Sequence, residues 1–190
     1  MNSALFRRHM VKMTTVFCAI SVIVVAIMEF LGLHFNTTSS LPFGVYQEAD
    51  RGIKRGSLAV FCLQNEAFIN LAKERGYLGQ GHCPGGIKPL GKKVIGLPGD
   101  QISMKDGLIA VNGNIVPATK VKRQDSLGRV MPGSLLAPGR IPEGSALMLS
   151  PNHPSGFDSR YFGLVQLTAL MPVEPVLTWK ESNNPKEEPL

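Results

Sequence analysis

The chain has 190 residues, 44% of them apolar, and carries a formal charge of +6 at pH 7. That length suits one globular domain with added segments, and the apolar share is enough to build a core. The positive charge invites a nucleic-acid partner, but the basic residues are scattered, no aromatic stripe alternates with them and no nucleic-acid motif is present, so that class is excluded.

The N-terminal segment differs from the rest. Arg7, Arg8 and Lys12 precede the uncharged run of residues 13–28; Glu29 interrupts it, and residues 30–33 continue it. A membrane helix needs about 20 mostly apolar residues. Residues 13–33 reach that length by taking in Glu29, which can sit near the outer interface. The basic flank comes first, so the positive-inside bias puts residues 1–12 in the cytoplasm and residues 34–180 on the far side of the membrane. A cleaved secretory signal is the alternative, although the run is longer than a typical signal core and no clear Ala-x-Ala site follows it. On either reading the body is exported. Of the three cysteines, Cys18 lies in the apolar run, leaving Cys62 and Cys83. In an oxidising compartment these favour a disulfide, with two buried free thiols as the alternative. Such a bond would stabilise the fold by about 3 kcal/mol on the chain-entropy model. His82 is the lone extra ligand nearby, too few for a zinc site, and no metal or cofactor is expected.

Residues 36–56 are polar and turn-rich. Residues 57–63 (SLAVFCL) form a short apolar run that predicts a buried strand. Asn65 can cap a short helix over residues 66–75, whose Ala67, Phe68, Ile69, Leu71 and Ala72 cover one broad face, and Gly76 suits its C-terminal end. Residues 79–91 are glycine-rich and read as loop. Residues 92–95 have a strand pattern ended by Gly96-Leu97-Pro98-Gly99-Asp100. Short β runs follow at 101–104, 108–111 and 115–116. Asp106-Gly107 and Asn112-Gly113 separate them as type I′ hairpin signals, because both central residues need positive φ. Residues 117–143 read mostly as loop, 146–149 as a strand, and 161–176 as one or two more. The polar, proline-bearing tail 181–190 predicts disorder. With 20 Gly and 14 Pro supplying turns, the expected fold is mainly antiparallel β with hairpins and one short helix, behind a single transmembrane helix.

Three segments hold the candidate chemistry: residues 36–46 (NTTSSLPFGVY), 92–100 (KKVIGLPGD) and 151–163 (PNHPSGFDSRYFG). Each alone has an ordinary structural use, as linker, turn or salt-bridged loop. A serine hydroxyl is a poor nucleophile and needs a base, and Ser-Lys pairs are an attested variant of the Ser-His-Asp arrangement. A lysine base must be neutral although its unperturbed pKa is about 10.4, so it must be buried among apolar groups. Lys92 opens the apolar run Val94-Ile95, and strand alternation sends Lys92 and Lys93 to opposite faces. A solvated strand-end lysine is the competing reading. A histidine base drawn from His34, His82 or His153 has no supporting geometry. His34 falls at the membrane edge, His82 in a glycine-rich loop and His153 before a proline.

Together the segments resemble the signal peptidase family, peptidase S26. That family has a Ser-Met motif just after a membrane anchor, a Lys-Arg strand running into Gly-x-Pro-Gly-Asp, and a late Asp-Ser-Arg segment. The counterparts here are Ser40-Leu41-Pro42, Lys92-Lys93 through Gly96-Leu97-Pro98-Gly99-Asp100, and Asp158-Ser159-Arg160, a match spanning about residues 36–170. The resemblance implies a signal-peptidase-like β fold, Ser40 as nucleophile and Lys92 as general base. Ser39 stands beside Ser40, and the match to Ser-Leu-Pro decides between them. The Ser40 backbone N–H is a candidate oxyanion donor, and the resemblance adds the Thr38 hydroxyl. It also gives Ser159 the role of hydrogen-bonding the lysine amine. Asp158 and Arg160 would orient the segment through an ion pair; a carboxylate near the lysine would raise its pKa and oppose base function, so Asp158 reads as structural first.

Two features depart from general signal peptidases. One residue fewer separates the serine from the proline, giving Ser-Leu-Pro-x-Gly-Val-Tyr, and Cys62 and Cys83 accompany Gly76-Tyr77-Leu78 and Cys83-Pro84-Gly85-Gly86. Both resemble the conjugative-transfer, TraF-type branch. That branch implies maturation of conjugative pilin precursors in the periplasm of a bacterium, with cyclisation in some systems, by an enzyme held in the inner membrane. The alternatives are a general signal peptidase I acting on secretory signal peptides and an inactive periplasmic pilus-assembly protein.

Overall fold

A computed structural model describes residues 3–38, 40–151 and 153–179. The chain begins as one long helix, α1 (Ser3–Phe30). The 22 residues from Arg7 to Met28 form a span long enough, and on average apolar enough, to cross a membrane, and none of the apolar stretch is buried against the rest of the chain. Its hydroxyls are satisfied within the helix: Thr14, Thr15 and Ser21 donate to carbonyls four residues back at 2.9–3.0 Å, which suits a helix surrounded by apolar solvent. The segment therefore has the length and composition of a membrane anchor or a signal sequence. It starts earlier and stops sooner than residues 13–33. Gly32 adopts φ +61, a conformation that glycine takes without Cβ strain, and the chain turns there into β1 (Leu33–Asn36).

The body is mainly antiparallel β, as expected. After β1 come β2 (Phe43–Glu48), β3 (Leu58–Phe61), α2 (Glu66–Glu74), β4 (Gln80–Cys83) and β5 (Leu90–Gly96). Then follow β6 (Gln101–Lys105), β7 (Leu108–Val111), β8 (Asn114–Ile115), β9 (Gly139–Arg140) and β10 (Ser145–Leu149). The chain closes with α3 (Ser159–Phe162), β11 (Val165–Gln166) and β12 (Met171–Trp179). Seven strands form one sheet in the order β1-β2-β12-β3-β5-β10-β11, and four form a second in the order β8-β7-β6-β9. Both hairpin signals hold: Asp106, Gly107, Asn112 and Gly113 all have positive φ, at 53, 77, 50 and 78°.

β10 joins the two sheets. All five of its residues are buried. Ala146 and Met148 face the main core with Phe61, Phe68, Val94, Phe157 and Tyr161. Leu147 and Leu149 face the smaller core with Ile102, Ile109 and Ile141. α2 covers the main core. Asn65 caps it, accepting from the N–H groups of Ala67 and Phe68 at 3.0 and 3.4 Å, and Gly76 follows its C-cap at φ +70. A Cys62–Cys83 disulfide, with Cα atoms 5.4 Å apart, ties the entry to α2 to the end of β4.

Three expectations need correction. Residues 36–56 contain β2, whose inward Gly44 and Tyr46 alternate with half-buried Phe43 and Val45; Pro42 and Gly44 disguised that alternation as a turn. Residues 79–91 contain β4 and the start of β5, because two glycines there are close-approach positions inside paired backbone. A Cβ on Gly81 would lie 2.7 Å from the Ile87 carbonyl oxygen, and one on Gly91 would lie 2.8 Å from Leu41 Cδ1. Residues 161–176 open with the end of α3 before β11, and β12 runs on to Trp179. The Ser39 alternative and the tail 181–190 lie outside the described residues.

Candidate active site

Lys92 lies in β5, where burial alternates along the strand and puts Lys92 and Val94 on the inner face and Lys93 on the other. Its strand partner on β3 is Ala59, a small residue that is fully buried. Lys92 is 3% exposed. Burial pushes its pKa down from 10.5 to about 8; the Asp158 carboxylate opposes that shift and the Arg160 guanidinium adds to it. Lys92 Nζ donates to Ser40 Oγ at 2.7 Å across 52 residues of sequence.

Ser40 is delivered by a braced loop between β1 and β2. The Asn36 amide donates to the carbonyls of Thr38, Leu41 and Pro42 at 2.9, 2.9 and 3.1 Å. Leu41 is buried and packs with Tyr46 and Val173. It also covers Gly91, the residue before Lys92, which has no room for a Cβ beneath it. Tyr46 Oη donates to the Pro42 carbonyl at 2.7 Å. A Cβ on Gly44 would fall 2.2 Å from the Leu177 carbonyl oxygen of β12. The Leu-Pro-x-Gly-x-Tyr spacing thus acquires a physical meaning: each fixed residue seats the serine loop against the sheet.

Thr38 is exposed, and its hydroxyl donates to Asn36 Oδ1 at 2.8 Å. Ser159 is fully buried, and its Oγ accepts the Met148 N–H at 3.0 Å; a bond between Ser159 and the Lys92 amine is not formed among the described residues. Asp158 and Arg160 make a two-pronged ion pair, Nε to Oδ1 at 2.8 Å and Nη2 to Oδ2 at 2.9 Å, with both side chains fully buried. Asp158 also accepts the N–H groups of Ser150 and Arg160 at 2.9 and 3.1 Å. The remaining Arg160 donors go to the carbonyls of Ala118, Pro154 and His153 at 2.9, 3.1 and 3.0 Å. At the other end of β5, Asp100 of the Gly-Leu-Pro-Gly-Asp turn binds Arg55 through both oxygens at 2.6 Å, Leu97 N–H at 2.7 Å and Asn112 Nδ2 at 2.8 Å. Burial pushes the Asp100 pKa up, but these donors outweigh it and hold it at about 2.

The structure therefore brings Ser40, Lys92, Asp158 and Arg160 into one neighbourhood. His34 pairs instead with Glu48 at 3.3 Å near the end of α1. His153, which reads in sequence as an ordinary loop residue, faces the site: burial lowers its pKa first, and the Lys92 and Arg160 cations lower it further. Sequence reasoning missed Asn36, although an Asn just before Thr-Thr-Ser is an Asx-turn signal, and it missed Gly91, which reads as one glycine among many. Among the described residues no group of three or more His, Cys, Asp or Glu side chains could hold a metal ion. What remains is a hydroxyl bonded to a partly neutral buried amine, an arrangement that can deprotonate an oxygen nucleophile for acyl transfer.

Comparison with known proteins gives the family. A family model described as signal peptidase, peptidase S26, matches residues 7–179. The conjugal transfer protein TraF of Agrobacterium fabrum is 36% identical over 151 residues, covering 78% of this chain and 84% of that protein. The plasmid transfer protein TraF of Escherichia coli is 33% identical over 149 residues, again 78% of this chain and 84% of the relative. A signal peptidase I of Bacillus caldolyticus is 34% identical over 87 residues, 42% of this chain and 48% of its own. The chain belongs to the signal peptidase family, peptidase S26, and within it is similar along most of its length to the TraF conjugal transfer proteins.

Proposed function

We propose that this chain is a serine endopeptidase that matures conjugative pilin precursors during plasmid transfer, with Ser40 as nucleophile and Lys92 as general base. The carrying observation is the 2.7 Å bond from a buried lysine amine to Ser40 Oγ. Family membership supports exported proteins as substrates, and similarity to the TraF proteins over 78% of the chain supports the conjugative role. In this reading helix α1 anchors the enzyme in the inner membrane, and the basic flank of Arg7, Arg8 and Lys12 supports a periplasmic body.

In the reaction, Ser40 Oγ attacks the scissile carbonyl as its proton passes to the neutral Lys92 amine. The Ser40 backbone N–H stabilises the oxyanion, and the Thr38 hydroxyl joins it on release from Asn36. The leaving amine takes the proton from Lys92. Water then opens the acyl-enzyme, or the substrate's own amino terminus does so to give a cyclic product. Because Lys92 must be neutral, kcat/KM falls on the acid side of pH 8. Asp158 and Arg160 orient the segment that walls the amine.

The test is co-expression with a pilin precursor and mass spectrometry of the product. Wild-type protein lowers the mass of the precursor, and Ser40→Ala and Lys92→Ala abolish that loss of mass; retained processing in either variant overturns the dyad. Housekeeping signal peptidase activity is tested by complementation of a conditional signal-peptidase mutant, where broad rescue would replace the conjugative reading.

A further inference from the structure

Beside Ser40 and Lys92, two buried polar atoms have no hydrogen-bond partner among the described residues: Ser150 Oγ and His153 Nδ1. Both belong to the turn that leaves β10, where the His153 N–H donates to the Ser150 carbonyl at 3.0 Å. β10 pairs with β5 so that Met148 lies abreast of Val94 and Leu149 abreast of Lys93. The next step along both strands sets Ser150 abreast of Lys92, and residues abreast in an antiparallel ladder point to the same face. Ser150 is 1% exposed. The turn is fixed from beneath: Asp158 Oδ2 accepts the Ser150 N–H at 2.9 Å, and Arg160 Nη2 donates to the His153 carbonyl at 3.0 Å. Gly156 packs so closely that a Cβ there would lie 3.0 Å from Ser150 Cβ.

A buried hydroxyl without a partner carries a cost that alanine would avoid. On the same face sits an amine with too few partners, for among the described residues Lys92 Nζ is bonded to Ser40 Oγ alone. When the Ser40 proton moves to the Lys92 lone pair, the ammonium has three N–H groups in a buried place. One faces the reacting groups, and the others need acceptors.

We infer that Ser150 is a positioning residue for the acyl transfer, a role that rests on Ser40 and Lys92 being nucleophile and base. Its Oγ, oriented by donating its hydrogen to His153 Nδ1, accepts from the Lys92 amine and keeps it aimed at Ser40. Rotation about one side-chain bond re-aims the hydroxyl. Ser150 neither gains nor loses a proton; the proton passes from Ser40 to Lys92 and from Lys92 to the leaving amine. His153 serves as a neutral acceptor, since burial and the Lys92, Arg160 and Lys122 cations disfavour its protonation against the pull of Asp158. The charged groups that act on Lys92 itself are Asp158 and Arg160.

The experiment uses the full chain in detergent micelles and a synthetic precursor peptide with alanine at the first and third positions before the cut. Ser150→Ala is expected to lower kcat about tenfold while KM changes less than about twofold. It also moves the acid limb of kcat/KM to lower pH, because the lost acceptor had stabilised the ammonium. His153→Leu gives a smaller loss, and His153→Asn, whose Oδ1 stands in for Nδ1, restores the rate. Ser150→Cys fills the same volume with a poor acceptor and repeats the limb shift should the alanine variant fold badly. Wild-type kcat and acid limb in both Ser150 variants overturn the inference, as does a fall in rate with an unmoved limb. Ser40→Ala and Lys92→Ala run in parallel: cleavage by either overturns the underlying dyad, whereas inactive dyad variants beside an unaffected Ser150→Ala overturn only the role of Ser150.

Discussion

Two buried cations stand close together in this protein and are treated in opposite ways. Arg160 is fully buried, and all five of its N–H donors are used, two on Asp158 and three on backbone carbonyls. Lys92 is almost as buried, yet its nitrogen is bonded only to Ser40 Oγ among the described residues. Burial penalises any charge, and only complete pairing makes a buried ion tolerable. Arg160 has that pairing and holds three chain segments together as a permanent cation. Lys92 lacks it and gives up its proton near pH 8. About a tenth of the amine is then neutral at pH 7 by simple titration. On the proposed mechanism, the difference separates a structural charge from a reactive one at nearly the same depth.

The sharpest way to break the comparison is to remove each cation in turn. Lys92→Met is expected to lower kcat/KM by about a thousandfold or more, the scale on which lost members of serine-nucleophile machinery act, while thermal unfolding temperature holds or rises because an under-paired amine has left the core. A drop of several degrees with Lys92→Met would mean that the amine is structurally paired after all. Arg160→Met does the reverse. It strands the Asp158 carboxylate and frees three carbonyls, and removing one partner of a buried pair costs about 3–5 kcal/mol. The expected outcome is a large fall in the urea midpoint, with activity lost through unfolding; a fall below about 1 kcal/mol would contradict the stapling role.

Much of this contrast was legible in the sequence, but unevenly. Alternation along residues 92–95 put Lys92 rather than Lys93 inward, and the Asp158-Ser159-Arg160 run announced an ion pair. The α2 cap, both hairpins and the Cys62–Cys83 bond follow from local chemistry that needs no distant partner. What stayed hidden depends on contacts far apart in sequence. Gly44 looks like a turn residue until β12 passes over it. Gly91 looks like loop until Leu41 lands on it. His153 and Ser150 carry no local signal, because their importance comes from pairing β10 beside β5. The interior strand β12, between β2 and β3, was read short because Pro172 and Pro175 interrupt its pattern, and prolines inside a sheet are tolerated at irregularities; the register with β2 shifts at Pro175.

The amine's depressed pKa also sharpens the comparison through stability. Lys92 titrates at about 8 in the folded protein and at about 10.4 when unfolded. Between those values the unfolded chain binds more protons, so stability rises with pH across that window, and the penalty is complete below pH 8. Its size is on the order of 3 kcal/mol, from the shift at 1.36 kcal/mol per unit. Urea unfolding of wild type and Lys92→Met at pH 7, 9 and 10.5 should show the gap between them closing as pH rises. Parallel curves would place the amine's pKa near its ordinary value. Arg160 gives no such window, since a guanidinium stays protonated throughout.

The smallest expected effect separates seating from stability. A Cβ on Gly91 meets Leu41 Cδ1 at 2.8 Å, and that atom is the far end of a flexible side chain, so Gly91→Ala is relieved by a small shift of Leu41. The fold should lose no more than about 1 kcal/mol, within the range of ordinary substitutions. Leu41 is joined directly to Ser40, however, and displacements near 1 Å in a reacting group cost up to about a hundredfold in rate. Gly91→Ala is therefore expected to lower kcat about tenfold with little change in melting temperature. Leu41→Val alone should cost less, and the double variant should recover part of the loss, because the smaller side chain vacates the space the new methyl takes. Contacting residues give such non-additive cycles. Strict additivity would show that Leu41 does not transmit the position of Gly91 to Ser40, leaving the serine's placement to Asn36 and the Tyr46–Pro42 bond.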